Sequence, residues 1–256
     1  MNINSILDKD FVNLTAEDIK RINVFFIEEC VVERNNSDRK GVYGLVQKQM
    51  AYNSNKIEGS TLTPDQTASL FDNDVVYDEY LLKDIEEMRG HFLMFNFMLD
   101  TIKEPLTEEL IKQFHYQLKI GVFEDRANGY AIGDYKKRPN IVGNTITATP
   151  MEVREKMPEL MEQYSNMEKT LENIALFHKM YEGIHPFQDG NGRTGRIVMF
   201  RECLRNEILP FIVHDKNKRE YIECLQENDV SRLVAYFRRE QMEYYEIMKR
   251  MLYRYF

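Results

Sequence analysis

The chain has 256 residues, 43% of them hydrophobic, a formal net charge of −8 and a pI near 5.3. That is apolar enough for a true core, and too acidic for nonspecific nucleic-acid binding, which rests on a basic surface. Cys30, Cys203 and Cys224 are scattered through helical patterns and read as buried free thiols, with no disulfide framework or zinc cluster indicated. No basic leader followed by an apolar run and no membrane-length apolar segment is present, so the expectation is a cytoplasmic protein with neither membrane nor nucleic acid as partner.

In chain order, Thr15 and Asp18 make a capping box ahead of Ile19, Ile22, Phe25 and Phe26, which predicts a first helix over 15–33. After a polar turn at 35–40, a second helix starts near Gly41, carries Val42, Leu45, Val46 and Met50 inward, and ends near Gly59, a residue suited to a left-handed cap. Thr63-Pro64 opens another, and a long helix is expected over 78–102. Thr107 with Glu108 and Glu109 caps the next, which ends at Gly121. Residues 121–150 break the helical pattern. Within them, β-branched residues at 140–147 flank the Gly143-Asn144 step and read as a small hairpin. Lys136, Lys137 and Arg138 at its base are either a docking patch or solvated charge.

Thr149-Pro150 with Glu152 caps a further helix. Later, over 216–228, Tyr221, Cys224, Leu225 and Asn228 fall on one helical face. The last helix, 231–256, is aromatic and charged, with Met and Tyr at core spacing. His91, His115, His178 and His214 lack metal-ligand spacing and are assigned to core or surface.

The densest chemistry is in His185-Pro186-Phe187-Gln188-Asp189-Gly190-Asn191-Gly192-Arg193-Thr194-Gly195-Arg196. Ile174, Phe177, His178, Tyr181 and Ile184 recur at helical spacing before it, and Ile197, Val198, Phe200, Arg201 and Leu204 after it, so the stretch is a loop joining two helices. Gly190 and Gly192 bare backbone N–H groups where the second helix begins, a site for phosphate. Arg193 and Arg196 share one face and add charged forks. Asp189 beside a phosphate site calls for an intervening cation and reads as a Mg²⁺ ligand. His185, whose ordinary pKa lies near neutrality, is the natural acceptor for a proton from an attacking hydroxyl. Gly190, Gly192 and Gly195 also spell a dinucleotide fingerprint, but a helix precedes them where that motif needs a strand, and no Gly-Lys-Ser/Thr follows to make a Walker A loop. The residues describe nucleotidyl or phosphoryl transfer.

This stretch resembles the Fic family motif, HPF-x-[D/E]-GNGR-x-x-R, at every defined position. The resemblance implies a protein adenylyltransferase that moves AMP from ATP to a Tyr, Ser or Thr hydroxyl of a target protein or of itself, using Mg²⁺. His185 would be the base and Asp189 the metal ligand; Gly190, Asn191 and Gly192 would form the anion hole, and Arg193 and Arg196 would hold the outer phosphates. Ser54-Asn55-Lys56-Ile57-Glu58-Gly59 is similar to the family's inhibitory motif, [S/T]-x-x-x-E-[G/N], with Ser54, Glu58 and Gly59 at its defined positions and Glu58 expected to pair with Arg196. By the same resemblance Asn140, Ile141, Val142 and Gly143 belong to the target-docking flap, and Tyr221 and Asn228 contact adenine. The fold implied is mostly α: a Fic-type helical core over 106–230 with one small β-hairpin, an N-terminal helical region over 1–105 bearing the inhibitory helix at about 41–59, and a C-terminal helix over 231–256. Two other readings stand beside transfer: a hydrolase that removes AMP with Glu58, and an ATP-sensing switch without catalysis. A homodimer is left open.

Overall fold

The structure, a computed structural model, describes residues 4–142 and 145–255. Twelve α-helices and one short strand pair make up its regular elements apart from two 3₁₀ turns: α1 (Asn4–Leu7), α2 (Ala16–Asn35), α3 (Val42–Ile57), α4 (Pro64–Asn73), α5 (Leu82–Asp100), α6 (Glu108–Lys119), α7 (Phe123–Ala127), β1 (Ile141–Val142), β2 (Thr145–Ile146), α8 (Pro150–Asn166), α9 (Leu171–Ile184), α10 (Asn191–Arg205), α11 (Lys218–Gln226) and α12 (Ser231–Tyr255). No helix among the described residues is long and apolar enough to cross a membrane.

The helix starts follow from side-chain caps. Thr15, Thr63 and Thr149 each accept a bond from the backbone three residues on, and Asp18, Gln66 and Glu152 bond back to close capping boxes. Where the expected boundaries fail, a local or distant contact explains it. The long helix begins at Leu82 and not at residue 78, because Asp74 and Asp78 both take left-handed φ values, 59° and 65°, and Gln66 Nε2 pins the intervening loop through the Tyr77 carbonyl at 2.8 Å. The irregular stretch at 121–150 contains the unexpected α7, whose Asp125 is drawn to Lys119 of α6 at 2.6 Å. Ile141 pairs with Ile146 and Val142 with Thr145, antiparallel. Those four residues are the only β-structure among the described residues, and Gly143 and Asn144 lie outside them.

One apolar cluster runs from Ile6 near the N-terminus to Leu252 in α12, taking in residues of every helix from α2 to α6 and from α8 to α12. Its axis is α10, where every residue from Ile197 to Leu204 is buried; a helix buried on all sides lies at the centre of the fold and not at its surface. Even Arg201 is buried there, with Nη1 on Glu202 Oε1 at 2.6 Å and Nη2 on the Glu104 and Thr101 carbonyls. α9 and α6 pack against α10, and α3 and α5 reach its N-terminal end. That end is where the motif sits.

Candidate active site

α9 stops at His185, which takes a left-handed φ of 55° and turns the chain out of the helix. The loop is then shaped by its own asparagine: Asn191 Oδ1 accepts from Phe187 N at 2.7 Å and Asn191 Nδ2 donates to Phe187 O at 2.9 Å. Gly190, φ 82°, is the N-cap of α10, and a Cβ there would come within 3.1 Å of Leu118 Cδ2, so both the backbone angle and the space ask for glycine. α6 supports the loop from below. The His115 ring stacks on Phe187 with centroids 3.9 Å apart. Its Nδ1 accepts from Gly133 N at 2.9 Å, which leaves Nε2–H to donate to Asp189 O at 3.1 Å. Burial and the neighbouring Lys119 push this imidazole down to about 3, so it stays neutral, as that bonding requires.

The charged residues divide into two groups. Lys119, 1% exposed, meets Glu87 at 2.6 Å, Asp125 at 2.6 Å and Asp189 at 2.7 Å. Arg193 Nη1 reaches Glu87 Oε2 at 2.6 Å and Asn55 Oδ1 at 3.2 Å, and its Nη2 reaches Asp189 Oδ2 at 3.2 Å. Burial would raise the Asp189 carboxyl, but the Arg193 and Lys119 charges hold it well below the carboxylate range. The side chain is still 37% exposed. The second group is built on Arg196, which donates to Ser54 Oγ and Ser54 O, both at 2.9 Å, and to Glu58 Oε1 at 2.6 Å. Gly192 makes room for that glutamate, since a Cβ there would lie 2.2 Å from Glu58 Oε1. Gly59 follows at φ 100°. Despite burial, Arg196 and Arg193 hold the Glu58 carboxyl below its usual value, so it is a carboxylate. His185 is pushed down to about 4 by burial and by Lys136, and is a neutral imidazole at pH 7.

Set against the sequence, the motif residues 185–196 converge on the start of α10, and Glu58 meets Arg196. Three assignments change. Arg193 is not a free fork: it is 1% exposed and both its terminal nitrogens are bonded to protein. Tyr221 and Asn228 do not share a helical face, because α11 ends at Gln226, where Lys179 Nζ takes the carbonyls of Leu225 (2.7 Å) and Glu227; Asn228 is exposed beyond that end, while Tyr221 is 2% exposed with its hydroxyl 2.6 Å from His178 Nε2. Lys136 is neither docking patch nor solvated charge but is buried under the hairpin. Asn140 is turned to the loop, its Nδ2 donating to Phe187 O at 3.1 Å and Gln188 O at 3.3 Å, whereas Ile141 is 67% exposed. His214, given no ligand role by its spacing, lies with Glu240 (2.6 Å) and Glu243 (3.6 Å), a grouping without any motif residue. Lys119, Glu87, Asp125 and His115 carry no sequence signal, since their partners are far away in the chain.

The geometry supplies bared N–H groups, a guanidinium, a neutral imidazole and one partly exposed carboxylate at a single helix N-terminus, the parts of a phosphate site with a base beside it. A model of the Fic/DOC family matches residues 105–203. The protein adenylyltransferase Fic of Drosophila willistoni is 24% identical over 230 residues, covering 87% of this chain and 45% of its own length. That of Nematostella vectensis is 25% identical over 186 residues, 70% of this chain and 42% of its own. The chain thus spans less than half the length of these relatives. Among solved structures, a Fic domain containing signaling protein from Bacteroides thetaiotaomicron superposes with a TM-score of 0.74 at 23% identity, covering 92% of this chain and 96% of that one. Fic-1 of C. elegans gives 0.69 at 17%, covering 93% and 72%. The helical architecture agrees with these structures, and residues 105–203, which hold the intact motif, are the part of the chain that matches the Fic/DOC family.

Proposed function

We propose that this chain is a protein adenylyltransferase, moving AMP from ATP to a hydroxyl of a target protein, and that Glu58 restrains it at rest. The observation that carries the reading is the meeting of His185, Asp189, Arg196 and the N-terminal end of α10 at Asn191 and Gly192. A Tyr, Ser or Thr hydroxyl attacks the α-phosphorus, the new O–P bond forms as the α–β bridging P–O bond breaks, and pyrophosphate leaves. His185 takes the hydroxyl proton, since a neutral imidazole is available at working pH. The helix N-terminus receives phosphate oxygens, and Arg196 receives the outer phosphates once Glu58 has left it. A single protein carboxylate beside substrate phosphates suits Mg²⁺, so Asp189 fits as the residue holding it, where the ion would neutralise phosphate charge. The exposed edge at Ile141 suits a target segment adding as a strand.

A second reading rests on the ionised Glu58 itself. A carboxylate against Gly192 and Arg196 supports a reading in which it activates water, and the same site would then remove AMP from a modified protein.

The test supplies ATP labelled on the α-phosphate with Mg²⁺ and follows covalent label on protein. His185→Ala is expected to abolish transfer while nucleotide still binds, because the base acts on the incoming hydroxyl. Equal loss of binding would remove the role given to His185. Absence of covalent label from both the native chain and a Glu58→Gly variant would overturn transfer and leave a nucleotide-sensing role.

A further inference from the structure

Lys136 is 2% exposed, and its Nζ donates to Asn140 Oδ1 at 2.6 Å and Thr147 Oγ1 at 2.7 Å, both neutral oxygens. No carboxylate among the described residues forms an ion pair with it; Glu152 acts on it only through space. Burying an ammonium without an anion is costly, so its retention asks for a return elsewhere.

The two oxygens it grips flank the strand pair, Asn140 just before β1 and Thr147 just after β2, and Thr147 Oγ1 also bonds to Asn140 at its backbone carbonyl, 3.0 Å away. The clasp is in turn fastened to the motif loop on both sides of Pro186: Lys136 N donates to Pro186 O at 2.9 Å, and Asn140 Nδ2 donates to the Phe187 and Gln188 carbonyls. Pro186 follows His185 directly. The charged and titratable groups that act on the His185 ring are Lys136 from the hairpin base, Glu58 from the end of α3, Asp189 from the loop, and the backbone of Glu182 in α9. Glu58, Asp189 and the Glu182 backbone all favour a proton on the ring. Lys136 is the cation that opposes it, in concert with burial.

We propose that Lys136 is a positioning residue for His185: its buried ammonium clasps both ends of the hairpin to the motif loop and keeps a positive charge beside the imidazole, so that base and hairpin are held as one unit. The catalytic meaning rests on the reading of His185 as proton acceptor, but the electrostatic claim does not. Burial lowers the Lys136 ammonium itself to about 8, so the charge is present at pH 7 and fades above that midpoint.

The experiment follows the imidazole Cε1–H resonances of the full chain, without nucleotide, by NMR from pH 7 down to the onset of acid unfolding, and takes the folded-state His185 midpoint from the part of the titration reached there. The chain has five histidines, and His185→Ala identifies the resonance of interest. In Lys136→Met the His185 midpoint is expected to rise from about 4 by at least one unit, a tenfold gain in proton affinity. In Lys136→Arg, which keeps the charge, it is expected to stay. Lys136→Gln, one atom shorter, still offers uncharged N–H donors towards Asn140 and Thr147, guards against loss of fold, and is expected to shift His185 as Met does. In an active preparation the acid limb of transfer against pH moves by the same amount. An unmoved His185 midpoint in folded Lys136→Met or Lys136→Gln would overturn the proposal. Absence of AMP transfer from the native chain and from Glu58→Gly, with the NMR shift present, would instead count against the transferase reading and leave the electrostatic claim standing.

Discussion

The Glu58–Arg196 pair gives the sharpest prediction. Arg196 is 5% exposed and Glu58 34% in their side chains, with 2.6 Å between them. The pair therefore lies between an exposed ion pair, worth at most about 1 kcal/mol, and a buried one, whose breaking costs about 3–5 kcal/mol. A value of about 2–3 kcal/mol is the reasonable interpolation. If outer phosphates can be gripped only after that bond opens, the competent population is lowered by about 30- to 150-fold, at 1.4 kcal/mol per factor of ten. Glu58→Gly should raise covalent AMP per minute at saturating ATP by that factor. The backbone tolerates the change, since Glu58 sits at φ −84° as the C-cap of α3. The same substitution leaves Arg196 with only neutral partners, the Ser54 oxygens and the Tyr221 hydroxyl, so the nucleotide-free variant should melt below the native chain and recover on adding ATP. An unchanged rate in folded Glu58→Gly with His185 intact would refute autoinhibition. A parallel loss of AMP-removing activity would favour the hydrolase, in which Glu58 is catalytic.

Acid should unfold the protein early. His91, His115 and His178 are pushed by burial to about 3, and His185 to about 4, from an ordinary 6.5. These bases are depressed in the folded state, so the stability they contribute is present above 6.5 and lost as pH falls towards 4 and then 3. Glu182, raised by burial to about 8, offsets one of the four protons, which leaves a slope of about 4 kcal/mol per pH unit near pH 5. Denaturant midpoints that do not fall between pH 6 and pH 5 would contradict the buried neutral histidines. Lys119→Met should strip two buried carboxylates, Glu87 and Asp125, of a shared cation and cost about 3–5 kcal/mol, partly restored by adding Asp125→Asn. A Lys119→Met variant as stable as the native chain in guanidinium would show that the network carries no net charge dependence.

What could be read from the sequence was what is written locally. The helix starts at Thr15, Thr63 and Thr149 depend on residues at most three apart, and each formed where the pattern put it, Thr63 with an unforeseen capping box to Gln66. The motif was legible because twelve consecutive residues each serve the same turn. Glu58 was legible only through family resemblance, as its partner lies 138 positions away. The missed elements depend on distant partners or on backbone angles that residue types do not announce. α7 is anchored through Asp125 to Lys119, α11 is stopped by Lys179 from α9, and the start of α5 is delayed by the left-handed Asp78. Composition and spacing carry no trace of any of them.

The two arginines of α10 also show why the site cannot be understood from the family-matched stretch alone. That stretch begins at residue 105, yet Arg193 is held by Asn55 and Glu87, and Arg196 by Ser54 and Glu58, all from α3, its C-cap and α5. A buried guanidinium needs an anion, and within 105–203 the carboxylate that meets either one is Asp189, already shared with Lys119. The N-terminal helices therefore complete the charge balance of the motif. Their two glutamates do this differently. Glu87 is 9% exposed in its side chain and holds two cations at once, Lys119 and Arg193, so releasing it would strand both in the interior. Glu58 is 34% exposed in its side chain and holds Arg196 by a single bond. On the proposed reading a brake must be a residue whose departure leaves a cation that an incoming anion can satisfy, and of the two glutamates Glu58, the more exposed and singly bonded one, is suited to it.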